Sequence, residues 1–495
     1  MQYIVTSKEM KEYDNNTING IGIPSLVLME RAAFSVFQVI KGLKESGKVL
    51  VLAGVGNNGA DGLALCRMLM DAGYEVCICI LGDIRKGTLE FHAQKDILKF
   101  YSPEYYKSSQ LQLWENSKFD FVVDSIFGIG LSRDISGEYA TLIQKLNEMQ
   151  GIKIAVDVPS GICADTGRVL GIAFKADYTV TFAFNKAGLC LYPGTEFAGL
   201  VWVSDIGITE KAFMGKEPKM ITYDGPIDQY LPARKPDGNK GTFGKVLVVA
   251  GFENMVGAAV LCAKACLTTG AGMVKVICPK ENRDLLISTV LETLYGEDLK
   301  EDKDLEWADV IVVGPGLGSS SKAREIMHFL LKNGNVPLVL DADGLNFISR
   351  DDELADLLKK YKESVIMTPH VGEAARLLHI SVKEAKDSYQ DVAKNLAKEY
   401  HSIMVCKDAR TLVYETDRPM YLNLSGNDGM ATAGSGDVLA GMIAALVAQG
   451  KAPYDAACTG VYLHGLAGDY AKEKYGSYSI TAAKMIENIA NLYKK

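Results

Sequence analysis

Three stretches of this chain hold residues whose types and spacing could do chemistry. The first is a polar glycine turn. Gly54-Val55-Gly56-Asn57-Asn58-Gly59-Ala60-Asp61-Gly62 follows an apolar run at 49–53 and precedes a helical pattern at 63–72. A G-x-G-x-x-G turn between strand and helix sets backbone N–H groups and a helix N-terminus against a phosphate. The glycines alone would do no more than make a tight turn. A dinucleotide loop carries small or apolar residues between its glycines, whereas Asn57, Asn58 and Asp61 fill this one with oxygens. The second is a pair of carboxylates that close apolar runs. Asp124 ends Phe121-Val122-Val123 and precedes Phe127-Gly128-Ile129-Gly130-Leu131-Ser132. Asp157 ends Ile154-Ala155-Val156 and precedes Val158-Pro159-Ser160-Gly161. One such Asp is as often a helix cap. Two beside an Asn-Asn-Gly turn, at strand carboxyl ends where open parallel sheets bind ligands, point to a site. Asn58, Asp124 and Ser160 would offer a hard cation an oxygen-only set, which excludes a thiolate-preferring metal.

The third is Gly429-Met430-Ala431-Thr432-Ala433-Gly434-Ser435-Gly436-Asp437-Val438-Leu439-Ala440-Gly441. Gly434-Ser435-Gly436 can present several N–H groups as an anion hole, and a helix from Val438 adds its positive end. Asp437 stands where it would take a proton from a hydroxyl about to attack a phosphoryl group. The plainer reading is again a helix cap. Gly314-Pro315-Gly316-Leu317-Gly318, Asp341-Ala342-Asp343-Gly344-Leu345-Asn346 and Thr368-Pro369-His370-Val371-Gly372-Glu373 each follow an apolar run. His370, between Pro and Gly-Glu, is a candidate ligand contact, while His92, His328, His379 and His401 lie in helical or loop patterns and receive no role. Lys407-Asp408-Ala409-Arg410-Thr411 places two cations after 403–406, suited to nucleotide phosphates. Lys240-Gly241-Thr242-Phe243-Gly244-Lys245 is not a P-loop. Asn239 stands where Gly is needed, and Val246 replaces the magnesium-binding hydroxyl.

These stretches need elements to hold them. Apolar runs at 49–53, 76–81, 121–123, 154–156 and 179–183 read as strands in the first part. Those at 246–250, 274–278, 310–313, 338–340, 365–367 and 403–406 read so in the second. Continuous apolar strands separated by helix-length segments mean parallel sheets covered on both faces, an α/β architecture built twice. Prolines at 218, 226, 232 and 236 mark an extended seam near 215–240. The halves share no convincing repeat.

The chain has 495 residues, 48% hydrophobic and 23% charged, with net charge −8. That is globular composition, and it excludes disorder as the main state. The acidic balance and the lack of a long basic run argue against nucleic acid. No apolar stretch approaches the ~20 residues that span a bilayer, and the start lacks a signal-peptide pattern. The ten scattered cysteines form no C-x-x-C pair and no zinc spacing with the histidines, and read as buried apolar residues in a reducing cytoplasm.

The motifs Gly56–Gly62, Val123–Gly130 and Asp157–Gly161, with Gly22-Ile23-Pro24-Ser25-Leu26-Val27-Leu28-Met29-Glu30-Arg31-Ala32 before them, resemble the NAD(P)H-hydrate epimerase domain. Ala60 stands where that family has Gly. The resemblance covers residues 1–215 and implies a Rossmann-like fold that interconverts the C6 epimers of hydrated NADH and NADPH. It implies potassium on Asn58, Asp124 and Ser160. It implies substrate contacts from Asn57, Asn58, Gly59, Ala60 and Asp61, and from Gly128, Ile129, Gly130, Leu131, Ser132, Arg133 and Asp134. Asp157 would move the proton at C6.

After a linker at 216–235, residues 225–495 resemble the ribokinase-like superfamily and, within it, the ADP-dependent NAD(P)H-hydrate dehydratase. The marks are Lys240–Lys245, Gly257-Ala258-Ala259, Gly314–Gly318, Asp341–Asn346, Thr368–Glu373, Lys407–Thr411 and Met430–Gly441. Asp408 replaces the family's Gly, and Ser435 its Thr. By this resemblance Gly257, Gly318, His370 and Asp437 contact the hydrate. Lys407, Asp408, Ala409, Arg410, Thr411 and Gly436 contact the nucleotide, which is ADP with ATP as an alternative, carrying magnesium. Asp437 would deprotonate the C6 hydroxyl for phosphorylation, and phosphate then leaves. The expected protein is a two-domain αβα repair enzyme and a homo-oligomer. Two rivals stand beside it: a small-molecule kinase with a nucleotide-sensing first domain, and a non-catalytic scaffold like the one in an mRNA-decapping enhancer. Asp61, Asp124 and Asp157 and the acidic charge weigh against the scaffold.

Overall fold

The computed structural model describes residues 1–107, 118–299 and 302–493. The chain divides into two compact units, Gln2–Met220 and Ile221–Lys495 with Met1.

In the first unit, strands form where β-branched and apolar residues run together. Lys48–Gly54, Glu75–Leu81, Phe121–Ser125 and Ile152–Val156 are these runs extended by one or two residues at an end, and Tyr178–Phe182 is the run at 179–183 shifted by one. Short strands Glu104–Tyr106 and Leu200–Ser204 close the two edges of this seven-stranded sheet. All its pairings are parallel. Alternate residues serve opposite faces, as the pleat requires. Val49, Val51, Val123 and Ile154 join helices Ser25–Leu43 and Asn57–Asp71 in one core, while Leu50, Leu52, Val122 and Ala155 join Glu138–Glu148 in the other. Three αβα layers result. The chain leaves Lys48–Gly54 to one side for Glu75–Leu81 and returns to the other for Phe121–Ser125. Ligands bind at such a reversal, at the strands' carboxyl ends.

The second unit repeats the logic. Strands Leu294–Gly296, Met273–Ile277, Lys245–Val249, Val310–Val313, Leu338–Leu340, Val365–Met367 and Ile403–Cys406 lie side by side and parallel. The hairpin strands Leu412–Tyr414 and Met420–Leu422 extend the sheet antiparallel. Helices Val256–Thr268, Ser435–Ala448, Pro453–Tyr475 and Ala482–Leu492 pack together, and Ser321–Asn333, Asp352–Lys359 and Tyr389–Tyr400 form a further set. The direction reverses between Lys245–Val249 and Val310–Val313. All ten cysteines are free and nine are buried. Burial pushes the thiols up, to about 11 at Cys77 and Cys278 and to about 12 at Cys79 and Cys406.

Candidate active sites

In the first unit a cavity of about 750 Å³ opens at the carboxyl ends of the central strands. Asn57, Asn58, Asp61, Gly128, Ile129, Gly130, Leu131, Ser132, Arg133 and Asp157 all line it. Asp134 is exposed and outside that lining. The polar turn is not a loop beyond Gly56: Asn57 already begins the helix Asn57–Asp71. Gly56 precedes it in extended backbone, and no side chain caps the first turn, so its N–H groups stay available to an anion. Gly59 and Ala60 are buried away from solvent. A Cβ at Gly59 would stand 1.7 Å from the Gly54 carbonyl oxygen, so only glycine lets helix and strand approach this closely. Ala60 is helical, and its methyl demands no left-handed backbone.

Asp124 and Ser160 are fully buried. The Ser160 hydroxyl donates to Asp124 Oδ1 at 2.7 Å, the Ser160 N–H to Oδ2 at 2.7 Å, and the Ile126 N–H to Oδ1 at 3.1 Å. Burial pushes the carboxyl up to about 6, against these hydrogen bonds. The Asn58 amide has a buried Nδ2 with no partner. Its two ends interchange by rotation, so the unbonded end can be a carbonyl. A carboxylate, a hydroxyl and an unsatisfied amide are hard donors, and the set fits an alkali cation.

Asp157 follows strand Ile152–Val156 at φ 67°, a left-handed conformation rare outside glycine. Its Oδ1 meets Lys186 Nζ at 2.7 Å and accepts from Thr181 Oγ1 at 3.1 Å. Sequence reasoning missed Lys186, which is 1% exposed. A lone Lys after Phe182-Ala183-Phe184-Asn185 gives no signal of its partner. Asp61 is held well above the usual carboxylate range by burial, then by the charges of Asp157 and Asp14.

In the second unit, Gly434 turns left-handed (φ 87°) and the helix Ser435–Ala448 starts immediately, with no side-chain cap. Asp437 is therefore not a cap. Burial and the Asp341 charge push it up to about 7, against the pull of Lys407. Lys407 Nζ donates to the buried Asp341 Oδ1 at 2.8 Å. A Cβ on Gly436 would lie 3.1 Å from Lys407 Nζ and 3.5 Å from Asp341 Oδ2, which puts the glycine turn against this pair. Burial works against the Lys407 charge, yet Asp341, Glu373 and Asp437 hold it up.

His370 spends its Nδ1 as a helix cap, accepting from Gly372 N at 2.9 Å and Glu373 N at 3.3 Å. Burial, Lys407 and Arg376 lower it, and Nε2, on the half-exposed ring, lies 3.6 Å from Glu373 Oε1. Glu373 returns the cap by accepting the His370 N–H at 2.8 Å. Burial pushes Glu373 up to about 7, making it a further titratable group in this cluster. The Gly318 N–H donates to Asp343 Oδ2 at 2.9 Å, and Gly257 faces open space in the first turn of Val256–Thr268. In the turn between Ile403–Cys406 and Leu412–Tyr414, Asp408 and Ala409 are exposed, while Lys407, Arg410 and Thr411 are half-buried. Arg410 donates to the Leu424 carbonyl at 3.0 Å.

Comparison with known proteins follows this division. Residues 246–491 match the NAD(P)H-hydrate dehydratase family, and residues 25–188 match the YjeF-related protein N-terminus family. A bifunctional NAD(P)H-hydrate repair enzyme of Moorella thermoacetica is 35% identical, covering 98% of this chain and 95% of its own. The enzyme of that name from Escherichia coli is 31% identical, over 98% and 92%. A solved ribokinase-like superfamily protein from Enterococcus faecalis is 29% identical with a TM-score of 0.50, over 55% of this chain and 95% of its own. With two family matches in chain order and relatives above 30% identity over nearly the whole length, the chain belongs to the bifunctional NAD(P)H-hydrate repair enzymes.

Proposed function

We propose that the two units perform two steps of one repair. In the first unit's cavity the R and S hydrates of NADH and NADPH interconvert at C6. In the second unit the S epimer is dehydrated to NAD(P)H, with ADP, or ATP in its place, as phosphoryl donor; with ADP, AMP and phosphate leave. The reaction belongs in the cytoplasm, where these cofactors turn over.

Asp437 carries the reading. It is an uncapped carboxylate poised near neutrality, at a glycine turn that abuts Lys407. There it takes the proton of the C6 hydroxyl while that oxygen attacks a phosphoryl group. The N–H groups of Gly434–Gly436 and the Lys407 ammonium hold the transferring phosphate. Phosphate then departs from C6 as C5 loses a proton and the ring double bond re-forms. The Nε2 of His370 and the backbone at Gly318 and Gly257 hold the hydrate, and Arg410 and Thr411 the nucleotide. A magnesium ion carried by the nucleotide would neutralise phosphate charge, and Glu373 would be a carboxylate able to hold it.

In the first unit, Asn57, Asn58, Asp61 and Gly128–Arg133 hold the substrate. The lone pair on the ring nitrogen expels the C6 hydroxyl, and the planar cation takes water on either face, with Asp157 handling the water's proton. Asn58, Asp124 and Ser160 would hold a potassium ion, which supplies a fixed positive charge beneath the glycine turns.

The test is recovery of absorbance at the reduced-nicotinamide band from a mixture of both epimers, with magnesium, potassium and ADP. Complete recovery, biphasic when the epimerase is slow, supports the reading. Recovery that stops at the S fraction would remove the epimerase, and a stable phosphorylated product would mark a kinase instead.

A further inference from the structure

The epimerase cavity holds a buried cation that the proton transfer at C6 has not yet used. Lys186 donates to three acceptors: Asp157 Oδ1 at 2.7 Å, Thr181 Oγ1 at 2.8 Å and the Phe182 carbonyl at 2.9 Å. All three ammonium hydrogens are thus engaged, and the side chain is 1% exposed. Thr181 passes its own hydrogen to the same Asp157 oxygen at 3.1 Å. The triangle pins Oδ1 and leaves Oδ2 without a bond among the described residues. The 2.7 Å contact sets an ammonium against Asp157 Oδ1 in the buried wall, and this geometry casts Asp157 as the carboxylate of an ion pair. A resting carboxylate accepts a proton but has none to give. Epimerisation begins by giving one, because the C6 hydroxyl must leave as water.

Asp61 lines the same cavity. Among the described residues no cation pairs with it, and its charged neighbours Asp157 and Asp14 are acidic. The other charged groups on the cavity wall are Lys11, Glu90 and Arg133. Glu90 accepts from Ser25 at 2.9 Å.

We propose, on the reading that this cavity epimerises the hydrate, that Lys186 is a positioning residue: it fixes Asp157 as the proton acceptor and leaves Asp61 to deliver the proton. Asp61 protonates the departing hydroxyl, the C6–O bond breaks, and the ring nitrogen's pair forms C6=N1. Water adds to the other face, its oxygen bonds C6, and its proton passes to Asp157. Solvent exchange returns the proton to Asp61, and Lys186 favours that reset because it stabilises the ionised Asp157. Two carboxyls held in opposite protonation states divide acid from base.

The test uses the full chain, magnesium, potassium, ADP and the mixed hydrates, with epimerase-limited recovery of the R fraction read across pH. In Lys186→Met, the R phase is expected to lose kcat about 100-fold with KM within about threefold. Its acidic limb should move up by about one unit or more, since a lost opposite charge shifts a carboxylate by about 1–3 units. Lys186→Arg should recover part of the rate and return the limb. Asp61→Asn should abolish the alkaline limb and slow the R phase. A Lys186→Met enzyme with lower kcat and an unmoved limb would show that Lys186 only packs, and full activity would overturn the proposal outright. Unchanged KM reports a folded cavity. If even the unaltered protein leaves the R fraction at its spontaneous rate, the epimerase reading fails, and that outcome is separate from any variant's.

Discussion

Replacing Lys407 by Met tests how the second site sets its base. The ammonium sits 2.8 Å from Asp341 Oδ1 and lies beside Gly436, the residue preceding Asp437. Asp437 is poised at about 7 because burial and Asp341 push it up while Lys407 pulls it down. On the proposed mechanism its ionised form is the base, so dehydration should rise with pH through about 7. Loss of a nearby opposite charge raises a carboxylate by about 1–3 pH units. Solvent at the site's mouth reduces this, so the limb should move up by about one to two units. At neutral pH the ionised fraction, and the rate with it, would fall about 5- to 50-fold and recover in alkali. Losing Lys407 also leaves Asp341 buried without its cation, which pushes in the same direction. The assay is band recovery from the S epimer at saturating ADP, with Lys407→Arg as control. A lowered plateau with the limb unmoved would refute this account and confine Lys407 to holding phosphate.

Three further outcomes are expected. Asp437→Asn should cut dehydration by about a thousandfold if Asp437 is the base as proposed, while epimer interconversion followed by chromatography stays normal. Replacing potassium with a bulky organic cation, or Ser160 with Ala, should slow epimerisation about tenfold or more and leave dehydration of the S epimer unchanged. Gly161→Ala should destabilise the first unit by about 3 kcal/mol or more, read as an earlier thermal transition. Its φ is 98°, and a Cβ there would meet the Ile172 carbonyl oxygen at 1.9 Å.

The central strands were legible because five- and seven-residue apolar runs between glycine turns leave few other structures open. The strands that reading passed over are short or lie at edges: Glu104–Tyr106 begins with a charge, and Leu412–Tyr414 is three residues of a hairpin. The residues at strand ends were legible as a set, because parallel topology gathers carboxyl ends. What could not be read is who pairs with whom. Lys407 finds Asp341 across 66 positions, and Lys186, four residues beyond strand Tyr178–Phe182, reaches back to Asp157 at the end of the neighbouring strand Ile152–Val156. His370 was read as a ligand contact from its flanking Pro and Gly, yet one of its nitrogens holds up a helix. The turn at Asn57 looked like a loop because Asn and Gly are poor helix formers, but the open N-terminal turn is where such residues belong.

The thiols have a consequence for the molecule's working life. Reactivity belongs to the thiolate, and burial holds nine of the ten thiols from solvent while keeping Cys77, Cys79, Cys278 and Cys406 protonated at neutral pH. Cys163 is the partly exposed exception. Thiol-directed electrophiles thus meet a surface with a single partly exposed sulfhydryl. A maleimide added to the folded chain should therefore label Cys163 first and leave the other nine thiols until the fold opens.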